Sequence, residues 1–418
     1  MKINSKPSSD LIWNYLSVGI TALCGVAFSI IISFFYPENI LGRFNTVYSY
    51  YIVMSQFCVC GIHMAIVKFA AEDIGEATGL LMKSLGVTAL ISTFMSMLFG
   101  GIINYVLCPF IGDSMVSSFN TILLSLILFS LNKVFLGWLN GKTYMRAYAF
   151  FQACRNFIIA LSLVFFSLIG IDGEKLTYCF LVSETIVALL GIFYLFTSRK
   201  QLHMTKTGLS VKELLWFGVR ILPSNAVLEL NTKIDVICLL LLLHNESLVG
   251  VYSFAAMFAE GFYQLLMVLR KIINPHITIE FSKGKLEEYI ESFKRRYVKS
   301  MYALSFLAYF MLLAGYYILV NIIGKEGYYA GTVVLAVVCA CIVINTKMIV
   351  FGNALSQTGN PGIESMVNIL ATATNAFLNI VFISSFGMIG GAIATGLSYF
   401  VFSIIQKHCF KMRTGIVL

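Results

Sequence analysis

The sequence predicts an all-α, polytopic membrane protein of about twelve helices arranged as two six-helix halves. Three observations predict it. Hydrophobic residues fill 59% of the 418 positions and charged residues only 12%, against about 25% charged in soluble domains. The apolar residues gather into runs of roughly 20, the length that crosses a bilayer as a helix. The basic residues fall almost entirely in connections on one side. Such runs have to be helical, because backbone groups in hydrocarbon find partners only within their own segment.

The first half holds six spans. Leu11–Phe35 follows the polar stretch Met1–Asp10 directly and reads as a full-length span rather than a cleaved leader. Phe44–Val67 carries Gln56 and His63, which are expected to hydrogen-bond to neighbouring helices. Leu80–Leu107, Val116–Leu139, Ala147–Ile169 and Leu176–Phe196 complete residues 1–198. Residues 199–212 are polar and basic and read as a cytoplasmic linker.

The second half, residues 213–418, opens with Leu214–Leu243. This run is long enough to span yet carries Arg220, Glu229, Lys233 and Asp235. Charges within a span normally face protein or water rather than lipid. Pro223 lacks a backbone donor and predicts a bend there. Val249–Ile273 follows, then the connection Asn274–Tyr297, where KLEEYIESFKRRY reads as a short amphipathic helix on the headgroups. The remaining spans are Val298–Ile323, Gly331–Ala354, Ile363–Ser384 and Met388–Ile405. The last is rich in Gly390, Gly391, Ala392, Ala394 and Gly396, small residues that allow close helix contact.

Charge placement sets the orientation and excludes other classes. With this assignment 21 of the 29 Lys and Arg lie on the side of both termini, in connections or at the adjoining span ends. Arg43, Lys175 and Lys325 lie on the other side, and Lys133, Arg155, Arg220, Lys233 and Lys347 lie within spans. Both termini are therefore expected to be cytoplasmic. The net charge of +9 is a topology signal and implies no nucleic acid. Most of the ten cysteines sit inside apolar runs, where Cys acts as a small hydrophobe. Cys58-Val-Cys60 and Cys339-Ala-Cys341 lack metal-ligand spacing, so no metal is expected.

The halves echo each other. Glu38-Asn-Ile-Leu-Gly42 after span one resembles Glu246-Ser-Leu-Val-Gly250 after span seven, an offset of 208. Asn140-Gly141 after span four parallels Thr358-Gly359 after span ten, an offset of 218. An even number of spans per half gives both the same orientation, related by an axis along the membrane normal.

Asn231-Thr-Lys-Ile-Asp235 with Leu248-Val-Gly250-Val-Tyr252 resembles a recurrent pattern, as does Asn379 through Gly387-Met-Ile-Gly390-Gly-Ala392-Ile-Ala394-Thr395. With Ile272-Ile-Asn-Pro275, these resemble the multidrug/oligosaccharidyl-lipid/polysaccharide exporter superfamily. Within it the likeness is to polysaccharide biosynthesis proteins, the Wzx-type O-antigen flippases. Ser384-Ser385 and Val236 depart from the usual pattern. The resemblance implies a MATE-like fold. It also implies a flippase that moves undecaprenyl-diphosphate-linked oligosaccharide from the cytoplasmic to the periplasmic leaflet of a bacterial inner membrane, with no cofactor. A polysaccharide polymerase and a chain-length regulator are the partners it suggests.

A diphosphate headgroup needs a cationic vestibule. Arg155, Arg220, Lys133, Lys347 and Lys233 are the candidates, Arg being suited to forked contacts. Lys133 and Lys347 differ by 214 and read as near-symmetric partners, although both could snorkel to headgroups. Asp235, Glu229, Glu260 and Glu184 are candidates for ion coupling, with structural pairing to a nearby cation as the plainer role. Two other functions remain open. A membrane polymerase or glycosyltransferase normally puts catalytic residues on a long outer loop, and here every outer connection is short. A drug exporter of the same superfamily could use Trp13, Tyr50 and Tyr51. Gly137-Trp-Leu-Asn-Gly141-Lys142-Thr143 has three residues between its glycines and ends a span, so it is no phosphate loop.

Overall fold

The computed structural model describes residues 7–72, 77–197 and 210–418. Residues 199–209 of the basic linker lie outside the described residues. The described chain is helical throughout, with no strand among the described residues. The principal helices are α1 (Pro7–Phe35), α2 (Glu38–Val59), α3 (Ile62–Glu72), α4 (Ala77–Gly101), α5 (Asp113–Gly141), α6 (Met145–Leu168) and α7 (Tyr178–Thr197). They are followed by α8 (Val211–Leu243), α9 (Glu246–Ser282), α10 (Leu286–Phe293), α11 (Lys299–Ile323), α12 (Gly331–Val350) and α13 (Pro361–Thr414).

Nine of the described helical segments are long and apolar enough to cross a membrane. Helices α2 and α3, bent by 53° at a break, make a tenth. Two features separate this number from the twelve expected. Helix α8 is 33 residues long but carries the four charges noted above. Helix α13 is 54 residues long, about 80 Å at helical rise and more than twice the hydrocarbon thickness. It is two spans joined at Gly387, whose φ of 59° and ψ of −138° are not helical. Only glycine occupies that conformation readily.

The chain forms two compact units, Met1–Leu230 and Asn231–Leu418. In the first, α5 is the central helix and packs against α2, α3, α4, α6 and α7. Its core combines Trp138, Leu139 and Phe135 of α5 with Ile62 and Ile66 of α3 and Phe151 of α6. In the second unit α12 is central and packs against α9, α11 and α13. These are span four and span ten, the pair matched by the sequence echo. They are also the most buried spans, at 61% and 56% of their apolar windows. Glu38 and Glu246 likewise both stand at helix starts.

Helix α8 begins with a capping box. The Ser210 backbone N–H and hydroxyl both donate to Glu213 Oε2, at 2.8 and 2.9 Å, and the Glu213 N–H donates to Ser210 Oγ. These donors, acting on the charged form, hold the Glu213 carboxyl below its ordinary range.

Helix α10 is amphipathic as expected, and its apolar face packs on protein. Leu286, Ile290 and Phe293, at helical spacing, are buried in protein, and Phe293 packs edge-on against Phe351. Gln56 bonds within its own helix, to the Ile52 carbonyl and Ser55 Oγ, while His63 Nδ1 is buried without a partner. Tyr51 is fully buried and stacks on Phe180, which makes it a core residue.

Candidate functional site

Two carboxylates sit among the helices, Glu184 in the first unit and the part-buried Asp235 in the second, and they are satisfied differently. In the first unit Asn132 of α5 faces α7. Glu184 of α7 is fully buried. Its Oε1 accepts from Arg155 Nε of α6 at 2.5 Å, and its Oε2 accepts from Asn132 Nδ2 at 2.8 Å. Tyr51 of α2 donates to Oε1 at 3.4 Å. Arg155 is thereby a member of a buried ion pair, and its guanidinium lies 4.4 Å from the centroid of the Phe129 ring. Its Nη2 is buried without a partner.

Lys133 sits one turn beyond Phe129, with Nζ 5.6 Å from the same ring. It lies within electrostatic reach of Arg155, Glu229 and His63. It is 8 residues from the end of α5, about 12 Å along the helix. Two cations thus flank one aromatic ring inside the helices, with Glu184 committed to one of them. Arg220 is on the exposed side of α8, its guanidinium carbon 4.1 Å from the Trp216 centroid one turn earlier.

In the second unit Asp235 of α8 is ringed by neutral donors. Tyr252 of α9 donates to Oδ2 at 3.1 Å and Thr395 to the same oxygen at 2.7 Å. Asn379 and Asn375 donate to Oδ1 at 2.6 and 3.3 Å. No Lys or Arg among the described residues reaches ion-pair distance of this carboxylate. Four hydrogen bonds offset part of its desolvation, yet the charge itself stays unbalanced. The same oxygens, with Asn379 Oδ1 buried and unpartnered, are hard donors of the kind that suit a proton or a small monovalent cation.

The glycine-rich motif builds this site. The break at Gly387 turns the second part of α13 back, so that Asn375 and Asn379 before it and Thr395 after it meet one carboxylate. At Gly391 a side chain would stand 3.3 Å from the Tyr252 ring and 3.7 Å from Asn379 Oδ1, so glycine lets these helices close on Asp235.

The other candidates lie apart from these clusters. Lys233 and Glu229 are partly buried on α8. Lys347 of α12 is partly buried within reach of Lys294 and Lys407. Glu260 of α9 is exposed. Sequence reasoning missed Asn132 and Tyr51 as partners of Glu184 and Tyr252, Asn375, Asn379 and Thr395 as partners of Asp235. For the latter the signal was present, since the quoted motif begins at Asn379 and ends at Thr395. Arg270, counted with the cytoplasmic charges, is buried inside α9. There Nε donates to the Ile349 carbonyl at 2.6 Å and Nη1 to Asn353 Oδ1 at 3.1 Å.

Two helical units, each centred on one spanning helix and each holding a carboxylate among its helices, define a multi-pass membrane protein of MATE-like fold. Solved structures share it. An inward-facing multidrug-resistance MATE-family transporter of the MOP superfamily matches with a TM-score of 0.77 at 16% identity, covering 94% of both chains. The lipid II flippase MurJ in an inward closed conformation matches with a TM-score of 0.75 at 14% identity, covering 96% of this chain and 87% of that one. The chain belongs to the polysaccharide biosynthesis protein family, whose model matches residues 9–279. A curated relative, the probable low-salt glycan biosynthesis flippase Agl15 of Haloferax volcanii, is 22% identical over 57% of this chain. The chain spans about half the length of that relative, 49%.

Proposed function

We propose that this protein is a flippase for lipid-linked oligosaccharide, carrying an undecaprenyl-diphosphate-bound repeat unit from the cytoplasmic to the periplasmic leaflet by alternating access. Family membership and the flippase relatives support the reading, and the basic side of the bundle is taken as cytoplasmic. A sugar-diphosphate headgroup cannot cross hydrocarbon alone, whereas its polyprenyl tail can remain in lipid. The chain therefore acts as a carrier and makes or breaks no covalent bond.

The observation that carries the reading is Lys133. An ammonium inside a spanning helix is unfavourable unless it faces protein, water or an anion, and here Glu229 is the acid within its electrostatic reach while Arg155 stands beside it as a like charge, a setting that favours an added anion. Lys133 and the exposed Arg220 supply the cationic contacts for diphosphate in the first unit, with Arg155, held by Glu184, adding its positive field behind them. Lys233 and Lys347 are further candidates, each to be tested separately.

Asp235 is proposed as the coupling residue. Taking up a proton or a monovalent cation neutralises its part-buried charge, and releasing it restores the charge, so occupancy changes the packing of α8, α9 and α13. Glu229 and Glu260 remain secondary candidates, and Glu184 is the least suited because Arg155 already balances it. The test is deletion of the gene followed by analysis of lipid-linked intermediates. A flippase defect accumulates a completed lipid-linked repeat unit on the cytoplasmic leaflet. Accumulation of unlinked or incomplete sugar precursors instead would contradict the proposal.

A further inference from the structure

A stacked tyrosine pair lies beside the Asp235 cluster and takes no part in it. The rings of Tyr263 of α9 and Tyr399 of α13 are nearly parallel, with 10° between ring planes and 5.7 Å between centroids. Tyr399 stands one turn beyond Thr395 and lies within electrostatic reach of Asp235 and Glu260. On α9, Glu260, Tyr263 and Gln264 occupy positions i, i+3 and i+4 and so share one face. Glu260 and Gln264 are exposed, and the two tyrosines are half-buried.

None of these four side chains has a hydrogen-bond or ion-pair partner among the described residues. Glu260 is 14 residues into a 37-residue helix, about 21 Å from its start. A carboxylate at that depth does not face lipid tails, so this face looks onto water or onto a polar ligand. We propose that it is a sugar platform, the place where a pyranose ring of the transported glycan is recognised.

The chemistry favours a sugar over the other ligands available to a transporter. A pyranose has a flat face of C–H bonds, which carry slight positive charge and settle against the negative face of an aromatic ring. Its rim is hydroxyls, which need both donors and acceptors. The Glu260 carboxylate accepts, the Gln264 amide does both, and the two phenol hydroxyls do both. The diphosphate is excluded from this face by the Glu260 charge and is left to the basic residues of the first unit. An organic cation could also use a carboxylate beside aromatic rings, but it has no use for the Gln264 amide and the phenol hydroxyls.

The inference rests on the lipid-linked glycan reading above, and its test separates the two. The protein in lipid nanodiscs is titrated with farnesyl diphosphate, with farnesyl-diphosphate-linked chitobiose and with tetraphenylphosphonium. Wild type is expected to bind the glycosylated lipid more tightly than the bare one. Tyr263→Leu and Tyr399→Leu are expected to weaken the glycosylated lipid about tenfold, in line with loss of one stacking contact, and to leave the bare lipid unchanged. Tyr263→Phe and Tyr399→Phe, which keep the ring face, are expected to retain most of the binding. Melting temperatures of the variants identify any that fail to fold, and the Phe pair then carries the comparison through the glycosylated-to-bare affinity ratio. Equal losses for both lipids, or no loss for either, overturn the platform while leaving the flippase reading intact. Loss confined to tetraphenylphosphonium overturns it in favour of a cation site. Failure of wild type to bind either lipid overturns both readings.

Discussion

Arg155 Nε and Glu184 Oε1 meet at 2.5 Å between α6 and α7, with the carboxylate fully buried and the guanidinium side chain 13% exposed. The pair is tied down on both sides, by Asn132 on the carboxylate and by Ser183 Oγ donating to the Arg155 carbonyl at 2.8 Å. Removing one member of a buried pair strands the other charge, at about 3–5 kcal/mol. Glu184→Ala should therefore lower thermal stability in detergent sharply, and Arg155→Met with Glu184→Leu together should recover much of the loss. A Glu184→Ala variant that melts with wild type contradicts a structural role for the pair.

Asp235 should behave in the opposite way. Its carboxylate has four neutral donors and no cation at ion-pair distance among the described residues, so Asp235→Asn removes an unbalanced, part-buried charge. The variant should melt at or above the wild-type temperature while gradient-driven transport in vesicles falls at least about tenfold, the scale of a lost essential group. Thr395→Val should weaken transport less, since three donors remain. Undiminished transport by Asp235→Asn would remove this residue from the coupling step.

Gly387 joins the two spans of α13 at φ 59° and ψ −138°. A side chain there is strained by about 1–3 kcal/mol, and the strain bears on the placement of Thr395 against Asp235. Gly387→Ala should lower both the melting temperature and transport. A neighbouring exposed substitution, Ser384→Ala, should change neither.

The Glu213 carboxyl is held below its ordinary range by Ser210, so its contribution to the start of α8 is present above the usual carboxylate range. That contribution is lost as pH falls through the depressed value. Protection of residues 211–214 against hydrogen exchange, taken relative to the intrinsic rate at each pH, should fall on acidification, and in Glu213→Gln that pH dependence should flatten. An unchanged pH profile in the variant would separate the capping box from the stability of this turn.

How much of this was legible in the sequence depends on the kind of signal. Span positions were readable because bilayer thickness forces apolar runs of fixed length, and α1 and α5 follow them closely. The central roles of α5 and α12 were foreshadowed by the Asn140-Gly141 and Thr358-Gly359 echo. The Asp235 site was half-visible, because Asn379 and Thr395 bound the glycine motif while Tyr252 ends the other quoted segment. What joins them is the turn at Gly387, which brings together positions up to 160 residues apart, and no local pattern encodes such pairings. The same holds for Arg155 and Glu184, each of which looks like an independent charged residue until α6 lies against α7. Arg270 was hidden differently, since it stands three residues before the expected span end and was counted with the cytoplasmic charges, whereas the helix turns it inward onto the Ile349 carbonyl of α12.

The central claim is that Lys133 and its basic neighbours carry a diphosphate headgroup across the membrane, and a reconstituted flipping assay tests it most directly. Proteoliposomes holding fluorescent polyprenyl-diphosphate-linked disaccharide are sampled by a glycosidase added only to the outside. Wild-type protein should make the protected half of the lipid accessible, and Lys133→Met, folded and inserted to the same extent, should leave it protected. Equal accessibility with Lys133→Met and wild type, or no transfer by either, would contradict the account.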